Sequence, residues 1–217
     1  MLSRSLAATA AVLLSVAAIT VPAPAAEPAA GPQLAQARAA LPEAGEFIAH
    51  LAADAIAGMS DKTMSLEERT RRFRTLLTAD FDVPEIARFV LGRYWRVATP
   101  DERSEYTKLF EDYIVSIYAA RFQEYDGEQL KVNAAVKDDD GAFVSSSIER
   151  KAGPPVKVDW KLKSQAPNFK IVDVMVEGVS MSVTQRDDFA AAIQAHGGKV
   201  AGLIDMLKQK VQTASSK

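Results

Sequence analysis

Two histidines, His50 and His196, and no cysteine are what this 217-residue chain offers to nucleophilic or metal chemistry. Without cysteine there is no disulfide framework, no thiolate zinc site and no cysteine nucleophile. His50 falls on a helical pattern and His196 beside Gly197-Gly198, so each reads as a surface or capping residue, and neither accompanies a G-x-S-x-G nucleophile motif. Asp138-Asp139-Asp140-Gly141 resembles the start of a calcium loop, but the ligand alternation and the closing glutamate are missing, which leaves a solvated hairpin turn. No Walker A or G-x-G-x-x-G pattern is present. Asp159 shares an alternating stretch with Lys157, Lys161 and Lys163 and reads as a surface charge. Asp173 interrupts an apolar run. It is either a structural partner for Arg93 or Arg96, or a general base in a pocket.

The remaining polar candidates are arginines. Arg69, Arg71, Arg72 and Arg74 crowd one helical stretch and form either a solvated face or a surface for an acidic partner or anionic headgroups. Arg93-Tyr94-Trp95-Arg96 sets two aromatics with polar tips between two cations, just after a helix stop. That is either a packed loop or the mouth of a pocket where amphipathic rings meet a polar ligand end.

These residues are carried by helices, then strands, then helices. Phe47, Ile48, Leu51, Ala52, Ala55 and Ile56 recur at helical spacing, predicting a helix over Pro42 to Met59. Ser65-Leu66-Glu67-Glu68 is a capping box opening a second helix, with Leu66, Phe73, Leu76 and Leu77 facing inward. Asp82-Val83-Pro84-Glu85 starts a third, which stops at Gly92. Thr99-Pro100-Asp101-Glu102 starts a fourth that should run to about Tyr125. Tyr106, Leu109, Tyr113 and Ile117 form one stripe on it, and Phe110, Ile114, Tyr118 and Phe122 a second, so it must be covered on two sides. From Gln129 the period changes to two. Four strands joined by turns at Asp138–Gly141, Ala152–Pro155 and Gln165–Asn168 predict an antiparallel meander. Phe169 to Val176 is apolar enough to be central. A helix from about Thr184 to Ala195 and a short last helix around Leu203, Ile204 and Leu207 close the chain. The fold class is α+β, a cone of sheet against helices with room for an apolar cavity between them.

Composition supports a globular chain: 48% hydrophobic, 25% charged, net charge -2. No net positive field exists to collect phosphates, which excludes a basic nucleic-acid binder. The first 25 residues read as a cleaved export signal: Arg4, an apolar run from Leu6 to Val21, and Ala23-Pro24-Ala25 before the cut. The run is short for a membrane span and prolines follow at once. Residues 26–41 read as a flexible Ala/Pro-rich arm, 42–212 as one domain and 213–217 as a tail.

Five stretches together resemble one family. They are Phe81-Asp-Val-Pro-Glu-Ile-Ala-Arg-Phe-Val-Leu-Gly-Arg-Tyr-Trp-Arg96, Ala98-Thr-Pro-Asp-Glu-Arg103, Phe110-Glu-Asp-Tyr-Ile-Val-Ser-Ile-Tyr118, Val156-Lys-Val-Asp-Trp160 and Ile171-Val-Asp-Val-Met-Val-Glu-Gly-Val-Ser180. The chain resembles, from about Phe47 to Leu207, the phospholipid-binding components of Mla lipid-transport systems, the MlaC or toluene-tolerance family. The resemblance implies an NTF2-like cone and a non-enzymatic, cofactor-free phospholipid shuttle in the periplasm. The partners it implies are an inner-membrane ABC transporter with an MCE-domain ring and an outer-membrane lipoprotein–porin complex.

A diacyl lipid leaves a membrane only into a dry slot, because each buried methylene is worth about 0.8 kcal/mol and some thirty of them about 20 kcal/mol gross. Surplus apolar side chains around a cavity meet that need. On the helices the expected tail contacts are Phe81, Ile86, Phe89, Val90, Tyr94 and Trp95, then Phe110, Ile114, Ile117 and Tyr118. On the strands they are Val144, Trp160, Val174, Val176 and Val179, with Arg93 and Arg96 at the headgroup or mouth. Three other readings fit the same pattern: a carrier of another apolar cargo such as a hopanoid or sterol-like molecule, a cone-fold enzyme using Asp173, and a structural envelope protein with a filled core.

Overall fold

The protein is described by a computed structural model over residues 39–215. The export signal and residues 26–38 of the arm lie outside the described residues. Ser65, Asp82 and Thr99 cap their helices as the sequence predicts. Their side-chain oxygens accept from the backbone N–H of Glu68 (3.1 Å), Glu85 (3.2 Å) and Glu102 (3.2 Å). Glu102 completes a reciprocal box at Thr99. The box expected at Ser65 is only half formed, because the Glu68 carboxylate pairs with Arg71 and Arg72 instead.

The helices are α1 (Pro42–Met59), α2 (Leu66–Asp80), α3 (Val83–Leu91), α4 (Tyr94–Val97), α5 (Pro100–Tyr118), α6 (Met181–Ala195) and α7 (Val200–Ser215). Four expectations change in detail. Tyr94–Val97, read as loop, is a turn of helix. The long helix ends at Tyr118 and tightens into a 3₁₀ segment, Ala119–Glu124, which brings Phe122 to within 5.8 Å of Phe73 on α2. The helix after the sheet starts at Met181, capped by Ser180. The last helix is sixteen residues long rather than short, because its polar half is held by Lys208 pairing with Glu105 and Lys210 lying over the Tyr113 ring.

The strands are β1 (Gln129–Asp138), β2 (Gly141–Glu149), β3 (Val156–Gln165), β4 (Asn168–Val176) and β5 (Val179–Ser180), an antiparallel meander in the order β1-β2-β3-β4-β5. The fifth strand, two residues long, is one more than predicted. It also leaves β4 next to the sheet edge rather than central: only Ile171 in β4 is fully buried. Ala39–Leu41, the last residues assigned to the arm, run beside β1, with Lys137 donating to the Ala39 carbonyl and Leu41 to Ala135 (2.8 and 2.9 Å).

The apolar interior has two parts. In the first, α1 lies on the inner face of the sheet, with Ala44, Ile48 and Leu51 against Ala142, Val144, Leu162 and Ile171. Gly45 permits the approach: a β-carbon there would sit 3.3 Å from Ala135 and Val132. The second is helical, joining α2 through α7, with Phe189 edge-on to Tyr106 and Phe110. The two-sided burial expected of α5 is met here, against α2, α3 and α7, not against the sheet. Partly buried Leu76 and Phe81 pack against both parts.

Candidate functional site

Helix α3 starts at the seam between the two apolar parts. Phe81 bridges to Ile171 of β4, and the Asp82 N–H donates to the Ile171 carbonyl (2.9 Å). Of the residues predicted to meet lipid tails, Ile86, Val90, Tyr94, Trp95, Phe110 and Ile114 belong to the helical part or pack on it. Val144, Trp160 and Val174 form one row across the inner face of the sheet, in register with Ala135. The Trp160 indole N–H donates to the buried Ser146 hydroxyl (2.9 Å), which donates onward to the Val158 carbonyl (2.7 Å). Ile117 and Val176 are half-buried, and Phe89, Tyr118 and Val179 are exposed. The predicted set is thus divided between two apolar bodies and the surface, and the sheet's inner face is covered by α1 side chains.

Two open clefts flank this interior. One, of about 360 Å³, lies between α1 and α2 and reaches Leu76 and Met59. It carries the carboxylates Asp54 and Asp80. Burial raises the Asp80 carboxyl above its ordinary range, Asp54 adds to this, and Lys170 works against it. The other, of about 580 Å³, lies along α3, α4 and α6 and is lined by Glu85, Arg88, Phe89, Gly92, Trp95, Arg96 and Arg186. Its size is ordinary for a ligand site. Phe89, Trp95 and Arg96 were expected at a site; Glu85, Arg88 and Arg186 were not. Glu85 and Arg88 lie inside the family-like stretch, whereas nothing in the local sequence of α6 marks Arg186. The Arg186 guanidinium lies 5.0 Å over the Phe89 ring, and its stem passes where a β-carbon on Gly92 would stand, at 3.3 Å; Gly92 also has φ +55°. Trp95 is held from behind by Arg103, which donates to its carbonyl (2.8 Å) and covers its ring at 5.5 Å.

Arg93 does not reach this cleft. It donates to the Tyr94 hydroxyl (2.9 Å), which lowers the Tyr94 phenol; a longer bond from Gln194 acts the same way. The arginines of α2 are not a free face either. Arg69 is buried and donates to the carbonyls of Met59, Asp61 and Met64. Arg74 joins α2 to Glu111 and Asp112 of α5. Asp173 pairs with neither Arg93 nor Arg96: it accepts from Ser180 Oγ (2.6 Å), the Ser182 N–H (3.1 Å) and the Val174 N–H (2.9 Å), so its carboxylate holds the start of α6. Asp159 is buried rather than on the surface, with Lys157 Nζ at 3.0 Å from Oδ2 and no partner on Oδ1. His196 sits at the end of α6 with Nδ1 2.7 Å from the Ala192 carbonyl. Among the described residues no cluster of three metal-ligating side chains occurs, and no helix is long and apolar enough to cross a membrane.

The model of the MlaC protein family matches residues 49–209. The chain belongs to the MlaC family. Two relatives are the toluene tolerance protein ttg2D of Pseudomonas putida and the intermembrane phospholipid transport system binding protein MlaC of Haemophilus influenzae. The first is 29% identical over 115 residues and the second 22% over 132, covering 52% and 58% of this chain. This MlaC-family chain spans little more than half the length of each, 53% and 59%. Its fold is similar to the solved structure of a phospholipid-binding protein from Ralstonia solanacearum in complex with a phospholipid. The TM-score is 0.71 at 20% identity, covering 79% of this chain and 98% of the other.

Proposed function

We propose that this chain carries glycerophospholipid through the periplasm without covalent chemistry, receiving and delivering it at an inner-membrane MCE-domain ABC transporter and an outer-membrane lipoprotein–porin complex. The observation that carries the reading is the family match over residues 49–209, in which the Haemophilus influenzae relative is named for intermembrane phospholipid transport. The divided interior supplies the means. Acyl chains enter by parting the seam at Leu76 and Phe81, so that the half-buried Trp160 and Val174 of the sheet line one wall and the half-buried Ile86 and Ile114 of the helical part the other. Phe89, Tyr118 and Val179, already exposed, meet the lipid at the rim. The signal-like first 25 residues support export. The enzymatic alternative loses its candidate base, since the Asp173 carboxylate is spent on α6. Purification of the full chain from periplasm, lipid extraction and mass spectrometry test the proposal. Stoichiometric glycerophospholipid is expected; no bound lipid together with no uptake from liposomes refutes it.

A further inference from the structure

The cleft along α3, α4 and α6 differs from the rest of the molecule in what its cations do. Every other described arginine has a protein acceptor, a carboxylate or an aromatic ring: Arg69, Arg72, Arg103 and Arg150 bond backbone carbonyls, Arg74 pairs with acids, and Arg121 lies over Tyr118. Among the described residues, Arg88 and Arg96 have no side-chain partner at all, and both line this cleft. Arg186 joins them from another helix, over Phe89, with Asp187 no nearer than 3.8 Å. A helix end accounts for one cation in its last turn. It gives no reason for a third to converge from α6. Against three guanidinium groups the lining holds a single carboxylate, Glu85, so the cleft is a cationic island on a chain of net charge -2. Guanidinium forks match phosphate oxygens, and the Phe89 and Trp95 rings beside them suit the apolar start of a lipid rather than a free ion.

Building on the carrier reading, we infer that Arg88, Arg96 and Arg186 form a phosphodiester subsite that makes the carrier favour net-anionic headgroups, such as phosphatidylglycerol, over zwitterionic phosphatidylethanolamine. Glu85 limits that preference. Headgroups carrying both a phosphate and an ammonium present a cation to the same three arginines and are disfavoured; a headgroup whose only charge is the phosphate is not.

The test loads the full chain from vesicles holding equal phosphatidylglycerol and phosphatidylethanolamine with identical acyl chains, then measures total and relative lipid bound. Phosphatidylglycerol should be enriched, and R88Q and R186Q should each reduce the enrichment by roughly fivefold, the effect of one cation near a lipid surface. E85Q should raise it, a gain of selectivity that a misfolded variant cannot produce. A parallel series with inorganic phosphate identifies the source of the anion: the enrichment should survive excess phosphate. If instead phosphate abolishes it, or binds while the lipids load without preference, the cleft is a free-anion site and the headgroup inference falls. Normal total loading in the vesicle ratio, unchanged by R88Q and R186Q, also overturns it while leaving the carrier reading intact. No lipid loaded from any vesicle removes both.

Discussion

Removing the Asp173 carboxylate separates a structural from a catalytic account of the acid that interrupts β4. In the structure it accepts three hydrogen bonds, from the Val174 N–H, the Ser182 N–H and the Ser180 hydroxyl. Ser182 is buried, so its N–H has no water to turn to if the acceptor goes. Ser180 Oγ in turn accepts from the Val183 N–H (3.1 Å), so the carboxylate and the hydroxyl together close the first turn of α6. Asp173→Ala leaves the Ser182 N–H unsatisfied, at about 1–3 kcal/mol. It also removes a negative charge from a helix N-terminus, at about 0.3–1 kcal/mol. The sum is a loss of about 1–4 kcal/mol. Asp173→Asn keeps an oxygen for the two backbone donors and loses mainly the charge, about 1 kcal/mol. Urea unfolding followed by far-ultraviolet circular dichroism measures both, and a domain of this size should lose about 2–4 °C in Tm per kcal/mol.

The order of the two variants decides the matter. Ala should be clearly worse than Asn, and the folded Asn variant should still load lipid. If Asn and Ala are equally destabilised, or both leave Tm unchanged, the capping argument is wrong. If the Asn variant folds normally yet loses an activity that the wild type shows on a small apolar substrate, the acid is catalytic and the carrier reading is in trouble.

Other perturbations follow from single contacts. Asp80→Asn should raise Tm near neutral pH, and only modestly, because the carboxyl is part-exposed. Burial holds the folded carboxyl above its unfolded value, so the ionised form costs stability at high pH and the cost vanishes as pH falls through the folded pKa. Melting the pair across the acid range should show the curves converging; a constant gap contradicts this. Gly141→Ala should cost about 1–3 kcal/mol or more by overpacking, because its β-carbon would stand 1.9 Å from the Leu162 carbonyl oxygen; chemical denaturation reads the loss. Because the chain has no cysteine, Thr78→Cys with Lys170→Cys gives one defined pair across the seam, where Lys170 Nζ reaches the Thr78 carbonyl at 3.3 Å. Joining them with a short thiol-reactive linker should slow lipid exchange between vesicles, and unchanged exchange would place the opening elsewhere.

Local chemistry was legible because its cause is local. Ser65, Asp82 and Thr99 cap helices through bonds that span three residues, and the change of period at Gln129 marks the sheet directly. Periodicity gave the buried faces but not which body each would join. Phe110 and Val144 both read as tail contacts, yet one lies in the helical part and the other under α1. Arg69 reads as solvated because its neighbours on α2 are; that it is buried depends on carbonyls left over at the end of α1 and in the turn after it. Asp159 looks like its lysine neighbours for the same reason, since strand alternation assigns a face without saying what covers it. The arginine cleft draws on residues almost a hundred positions apart, and only tertiary packing brings Arg186 to Arg88 and Phe89.

On the proposed carrier reading, a divided interior answers the difficulty that a carrier must open without unfolding. If the seam parts, α1 still covers the sheet, and Phe189 still locks Tyr106 and Phe110 in the helical part. The side chains that lose one of their two apolar settings are Leu76 and Phe81, each worth at most about 1.5–3 kcal/mol for full burial. Three ties at the seam break with them, Asp82 N–H to Ile171, Gln165 to the Asp82 carboxylate and Lys170 to the end of α2, at about 1 kcal/mol each. Opening therefore costs at most about 6–9 kcal/mol. The gross gain from sheltering about thirty methylenes is about 20 kcal/mol. The difference is large enough to hold a diacyl lipid against water. The opening cost lowers the affinity by the same amount, which lets cargo pass to a membrane that shelters its chains equally well and demands no opening.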